Sequence, residues 1–265
     1  MIDLHSHILP DVDDGATDMA TSLAIARMAV DEGIKVMAAT PHFFPGVYDN
    51  EANDVRARVA ALQQAILTAG IALDVVAGCD AHIRPDFISC LQDGKILTLN
   101  DTRYVLFEPP HTSLPQRMDE LLHNILTSGF VPILTHPERL RWIEQNYELI
   151  RQLVEQGVLM QITCGSLTGR FGPRPKYWAQ RMMADGLVHI LATDTHDTKK
   201  RPPKMMKAYD IAVAELGLDE AKNLVLIRPA MILDNDPADK LPPVISHKAA
   251  SAPARRNLFK RMFGR

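Results

Sequence analysis

Short apolar runs alternate with amphipathic stretches along most of the chain. The runs "MIDLHSH", "IKVMAATPH", "LDVVAGCDAHI", "RYVLFEPPH", "FVPILTHPE", "VLMQITCG" and "VHILATDTHD" read as strands. Between them, "MATSLAIARMAVDEG", "NDVRARVAALQQAILTAG", "LPQRMDELLHNILTSG" and "NYELIRQLVEQG" carry helical periodicity. They stop at Gly33, Gly70, Gly129 and Gly157, and Thr17 is a candidate N-cap for the first. Strand and helix alternating in series predict an α/β fold with a parallel sheet, closed or open. The pattern fails from about Asp234, where "DNDPADKLPPVISHKAASAPAR" is rich in Pro, Ala and charge. This divides the chain into a folded unit, 1–233, and a linker with a tail, 234–265.

Each predicted strand ends in polar residues. His5 and His7, His42, Asp80 and His82, Glu108, His136, and Asp194 and His196 all sit at C-terminal ends. In parallel α/β folds those ends converge on one face, where active sites form. Residues i and i+2 of a strand point the same way, so His5 pairs with His7 and Asp194 with His196. Imidazole and carboxylate together suit zinc, manganese or iron. One histidine so placed is more often a satisfied polar group. Two such pairs with His42, Glu108 and His136 point instead to a metal or catalytic site. His111, His123, His189 and His247 lack this context, and His82 is left open.

Composition narrows the setting. The chain has 265 residues, 46% of them hydrophobic, enough for one large core. It shows no secretory n- and h-region, and no apolar run of membrane-spanning length. Cys79, Cys90 and Cys164 are an odd count without CxxC spacing, so the expected location is the cytoplasm. Net charge is −3, but residues 246–265 carry +6 and no acid, leaving −9 for the rest. An acidic body argues against nucleic-acid binding. In the tail, Leu258, Phe259, Met262 and Phe263 stand among basic residues. Residues 250–265 therefore suggest a peripheral contact with an anionic membrane.

"DLHSH", "TPH", "THPER" and "ATDTHD", in this order, resemble the polymerase-and-histidinol-phosphatase (PHP) superfamily. More narrowly, "DLHSHILPDVDDG", "ATPHFFPGVY", "LFEPP", "ILTHPER", "GSLTGRFG" and "DTHDTKKRPP" resemble the bacterial tyrosine-protein phosphatases of capsule and exopolysaccharide loci. The resemblance runs from Met1 to about Leu233. It implies a distorted (β/α)7 barrel and two or three metal ions, manganese before iron or zinc. It also implies a phosphotyrosine substrate on the tail of a membrane tyrosine kinase. His5, His7, Glu108 and Asp194 would surround one ion. Glu108, His136 and Asp80 would hold a second, and Asp14, His42 and His196 a third. Asp80 stands where the family usually has glutamate, so its reach is in question, and Asp14 is chosen over Asp13 on the resemblance alone. Arg139 and Arg201 match its phosphate-binding arginines, and guanidinium suits bidentate phosphate contact.

Three other readings compete. "CGSLTGR", Cys164 to Arg170, has the C-x5-R spacing of thiolate phosphatases. The same barrel could serve a small phosphate ester of histidinol-phosphate type, in a deep lidded pocket rather than an open mouth. It could also be a non-catalytic regulatory protein.

Overall fold

A computed structural model describes residues 1–246; the basic segment 250–265 lies outside them. Nine strands form: β1 (Ile2–Ser6), β2 (Val36–Ala39), β3 (His42–Phe43), β4 (Asp74–Ala77), β5 (Asp80–His82), β6 (Tyr104–Glu108), β7 (Val131–Thr135), β8 (Leu159–Thr163) and β9 (Ile190–Ala192). All pairings between them are parallel, in the orders β1-β2-β4 and β3-β5-β6-β7-β8-β9.

Two of the seven expected strands are each broken in two. Pro41 interrupts the second, since it lacks an N–H, and Gly78–Cys79 interrupts the third. The breaks are stitched by Gly78 N to Ala39 O and Asp80 N to Pro41 O, both 3.0 Å. A parallel bridge between Ser6 and Thr195 joins the last strand's end to β1, with His7 N donating to Thr195 O and Asp194 N to His5 O. Seven staves thus close into a distorted (β/α)7 barrel.

The helices α1 (Met19–Asp31), α2 (Ala52–Thr68), α3 (Met118–Thr127), α4 (Tyr147–Glu155) and α5 (Pro173–Ala184) cover the outside. The first is capped by Asp18, whose carboxylate accepts from Thr21 N, and not by Thr17. Gly33 and Gly129 end α1 and α3 with φ of +80° and +88°, a conformation that favours glycine.

Alternation along each strand divides the core. Val105, Phe107, Leu134, Met160 and Ile162 pack with the helices. Tyr104, Leu106, Ile133, Leu159 and Ile190 form the other cluster, inside the barrel. Farther along this second face, Leu106 gives way to Glu108 and Leu159 to Gln161. The barrel is therefore apolar low down and polar at the C-terminal mouth.

Residues 234–246 do not behave as a linker. Asn235 accepts from Arg103, and Tyr104 donates to Asp236 O at 2.6 Å. Arg228, fully buried, pairs with Glu220 and donates to the carbonyls of Pro242 and Pro243. Leu241 joins the inner apolar cluster. Arg228, held in place by Glu220, thus fastens the segment to the barrel through the Pro242 and Pro243 carbonyls.

Candidate metal centre

Seven histidines and four carboxylates meet at the mouth. Three to four ligand atoms lie within 4.8 Å of one another in each of four sets. These are His7, Asp14, His42 and His196; His5, His7 and Asp80; His42, His82 and Glu108; and Glu108, His111 and His136. Asp194 joins them, its Oδ1 being 3.5 Å from Nε2 of both His5 and His7. All nine residues expected as ligands converge here. His82, left open by the sequence, and His111, set aside by it, are also part of the cluster.

Second contacts fix which nitrogen each imidazole presents. Nδ1 of His5 is 2.7 Å from Gln161 Oε1, and Nδ1 of His7 is 2.7 Å from Asp13 Oδ2. Both rings therefore aim Nε2 inward, where the two atoms are 3.3 Å apart. Carboxylate–histidine pairs of this kind orient metal ligands. Asp13 also accepts from the backbone N–H groups of Gly15 and His42. That occupies Asp13, while Asp14 Oδ1 faces His42 and His196 at 3.5 and 3.3 Å.

Asp80 reaches the cluster despite its shorter side chain. Its Oδ2 is 3.4 Å from His5 Nε2 and 3.6 Å from His42 Nδ1. It thus stands with His5 and His7, while His111 stands with Glu108 and His136, where Asp80 was expected. Two ligand atoms about 2.1 Å from a shared ion are separated by about 3.0–3.4 Å, so these spacings fit coordination.

The buried polar atoms support the same fit. Both oxygens of Asp80, Oε2 of Glu108, Nδ1 of His42 and of His136, and Nε2 of His111 have no hydrogen-bond partner. Oε2 of Glu108 is 2.5 Å from His82 Nε2 but out of line for a hydrogen bond. Buried polar groups are normally satisfied. Unpaired acceptors gathered in one place suit divalent cations, and the donor set contains only nitrogen and oxygen.

The charges are tightly balanced. Burial opposes ionisation of Asp194, but His5, the two arginines and His7 hold its carboxyl well below the usual range. Burial also opposes ionisation of Glu108, yet its histidine neighbours keep it ionised. His7 is pulled the other way: burial disfavours its cation, but Asp13 and Asp194 raise it to about 10. Burial and Arg139 hold His136 well below the usual value, and burial with His7 lowers His196 to about 4. Neutral imidazole is the form that ligates.

Arg139 Nη1 and Arg201 Nη2 each donate to Asp194 Oδ2 at 2.5 Å. Both guanidinium groups lie near the Phe171 ring, at 4.8 and 5.9 Å. The backbones of His136 and Asp194 are left-handed, with φ of 36° and 52°, which costs about 1–3 kcal/mol each. Such strain at two residues of one cluster is typical of functional sites. A cavity of about 370 Å³ opens above, lined by Asp14, His42, Glu108, His136, Arg139 and Arg201 among others.

Cys164 does not belong to this cavity. It is buried at the start of a short helix, Cys164–Leu167. Burial, with Asp3 nearby, pushes its thiol well above the usual value, against thiolate formation. Arg170 turns away to Lys200 O at 2.8 Å. Ser166 Oγ instead donates to buried Glu138, and so ties the loop after β8 to the loop after β7.

The family described as capsular polysaccharide synthesis, CpsB/CapC, matches residues 1–234. The tyrosine-protein phosphatase YwqE of Bacillus subtilis is 37% identical over 92% of this chain and 95% of its own. The tyrosine-protein phosphatase CpsB of Streptococcus pneumoniae is 31% identical over 88% of this chain and 98% of its own. A crystal structure from work on YwqE and CpsB, described as unique metal-dependent tyrosine phosphatases, superposes with a TM-score of 0.86 at 37% identity. It covers 89% of this chain and 96% of its own. The barrel, the cluster at its mouth and this likeness along nearly the whole length agree, and the chain belongs to the CpsB/CapC family of capsular polysaccharide synthesis.

Proposed function

We propose that this protein is a metal-dependent protein-tyrosine phosphatase of capsule or exopolysaccharide synthesis. Its substrate is the phosphotyrosine-bearing tail of a membrane tyrosine kinase. The observation that carries the reading is the set of unpaired buried ligand atoms at the barrel mouth, beside two arginines. Two or three ions, manganese foremost, would be held by His5, His7, Asp80 and Asp194, by Glu108, His111 and His136, and by Asp14, His42 and His196.

When bound, the cations supply Lewis acidity: they activate water near neutral pH and neutralise phosphoryl oxygens. The chain's own residues do the rest. Arg139 and Arg201, set by Asp194, offer N–H groups to the phosphate and to the charge that develops on it. Gln161 and Asp13 keep the imidazoles of His5 and His7 in the ligating orientation. The leaving phenolate has a conjugate-acid pKa of about 10 and needs less protonation than an alkoxide.

The rim is exposed at Asp14, Phe44 and Val47, which favours a protein substrate over a small ester in a lidded pocket. Among the described residues no helix is long and apolar enough to cross a membrane. We place the enzyme in the cytoplasm, with residues 250–265 touching the inner face of the membrane.

The test is chelation. Metal-stripped protein should not hydrolyse a phosphotyrosine peptide, manganese should restore turnover, and His136→Ala should stay nearly inactive while folded. Full turnover by metal-free His136→Ala protein would rule out the site.

A further inference from the structure

We propose that the turn Phe44–Tyr48 is an aryl-recognition platform, with Phe44 and Val47 receiving the ring of the phosphotyrosine whose phosphate meets Arg139 and Arg201. This rests on the phosphatase reading and adds how the site selects an aryl ester.

The turn is built to be rigid. Phe44 N donates to Tyr48 O at 3.1 Å, while Val47 N and Tyr48 N donate to Phe44 O at 2.9 and 2.7 Å. Pro45 and Gly46 occupy the corner, and Gly46 has a φ of +81°, as a Pro-Gly turn of type II requires. Gly46 N donates to Asp49 Oδ1, and Asn50 Nδ2 donates to the carbonyls of His42 and Val12. Thus the turn is tied to the strand that carries His42.

Its position relates it to the chemistry. Phe44 stacks on His82 with centroids 4.1 Å apart and planes 11° apart, and Tyr48 stacks on His42 at 5.5 Å and 18°. Phe44, Val47 and Tyr48 line the same cavity as His136, Arg139 and Arg201. Yet Phe44 is 40% and Val47 59% exposed.

Apolar groups held rigidly in water beside a polar, cationic pocket match a ligand with a dianion at one end and a ring at the other. A preformed apolar surface gains the ring's burial without a cost of ordering. Aromatic pairs add offset or edge contact to that burial. A turn that only shielded the imidazoles would need the rings of Phe44 and Tyr48. It would give no reason for an apolar side chain at the more exposed Val47.

The experiment compares Val47→Ser and Val47→Leu with the wild type, all loaded with metal. It measures inhibition by phenylphosphonate and by inorganic phosphate, and kcat and KM for a phosphotyrosine peptide. Val47→Ser should weaken phenylphosphonate about three- to five-fold and raise the peptide KM by a similar factor, given the apolar area lost. Inhibition by inorganic phosphate should stay within about two-fold, because phosphate lacks the ring, and Val47→Leu, which keeps an apolar side chain, should weaken phenylphosphonate less than Val47→Ser does. Equal weakening of both anions would show that the turn only supports the metal site, and no change in either would remove its role; both overturn the platform. A metal-loaded wild type that hydrolyses no phosphomonoester would overturn the phosphatase reading itself.

Discussion

Asp13 Oδ2 lies 2.7 Å from Nδ1 of His7 and so decides that Nε2 of that ring faces the His/Asp/Glu cluster. The pair is almost wholly buried. Removing such a partner typically costs 10–100-fold in metal affinity. Asp13→Ala should show a loss of ~10–100-fold when metal-stripped protein is titrated with manganese. Asp13→Asn should lose less, because its amide oxygen can still accept from Nδ1. Equal affinities in all three proteins would remove Asp13 from the site.

Arg139 and Arg201 share one oxygen of Asp194. A lysine at 139 could still balance that charge, but an ammonium cannot reproduce a planar fork. Arg139→Lys should therefore retain its metal and lose ~100-fold in kcat/KM, the usual scale for one transition-state contact. Stopped assays on protein of measured metal content decide it. Wild-type kinetics would leave Arg139 as a partner of Asp194 alone.

Cys164 should be dispensable. Its thiol is buried and held well above its usual value, chiefly by burial. Cys164→Ser should keep most activity, since serine fits the space, and its turnover should still fall to background on chelation. A folded, metal-replete Cys164→Ser protein without activity would revive the thiolate mechanism.

The candidate cluster was legible where strand geometry writes it. His5 with His7 and Asp194 with His196 follow the two-residue period, and so does His82 after Asp80, which the same rule could have recovered. His111 leaves the barrel with the loop after β6, and nothing in its spacing from Glu108 announces its return. Gln161 is the polar position on the inner face of "VLMQITCG", a signal visible only once that face is known. The choice between Asp13 and Asp14 turns on side-chain direction in a loop, which sequence does not encode by period. Residues 234–246 read as linker because carbonyl groups of Asp236, Pro242 and Pro243 do much of the fastening. Backbone acceptors leave no mark in composition.

The described chain ends at Ser246, whose backbone nitrogen would sit 2.9 Å from a Cβ on Gly186. Gly186 precedes β9, so this exit is at the N-terminal end of the strands, opposite the His/Asp/Glu cluster. Removing residues 250–265 should therefore leave turnover of a soluble phosphopeptide unchanged. It should abolish co-sedimentation with vesicles of anionic lipid, to which each basic residue near the surface contributes ~1 kcal/mol. Equal sedimentation of full-length and truncated protein would retire the membrane contact.

His189 supplies an acid limit to stability. Its Nδ1 accepts from Met160 N at 3.1 Å, a contact that requires the neutral ring. Desolvation and the Arg228 guanidinium lower its pKa to about 3 in the fold, against about 6.5 unfolded. The unfolded chain therefore binds more protons below pH 6.5. The contribution is fully present above that pH and is lost as pH falls toward 3. Between pH 7.5 and 5.5 the loss should be ~1.4 kcal/mol, the value of one proton over the single unit below 6.5. His189→Asn keeps an acceptor for Met160 N but cannot titrate. Urea unfolding at the two pH values should give a stability difference smaller by that amount in His189→Asn than in the wild type. The same pH dependence in both would mean that His189 takes up its proton without disturbing the fold.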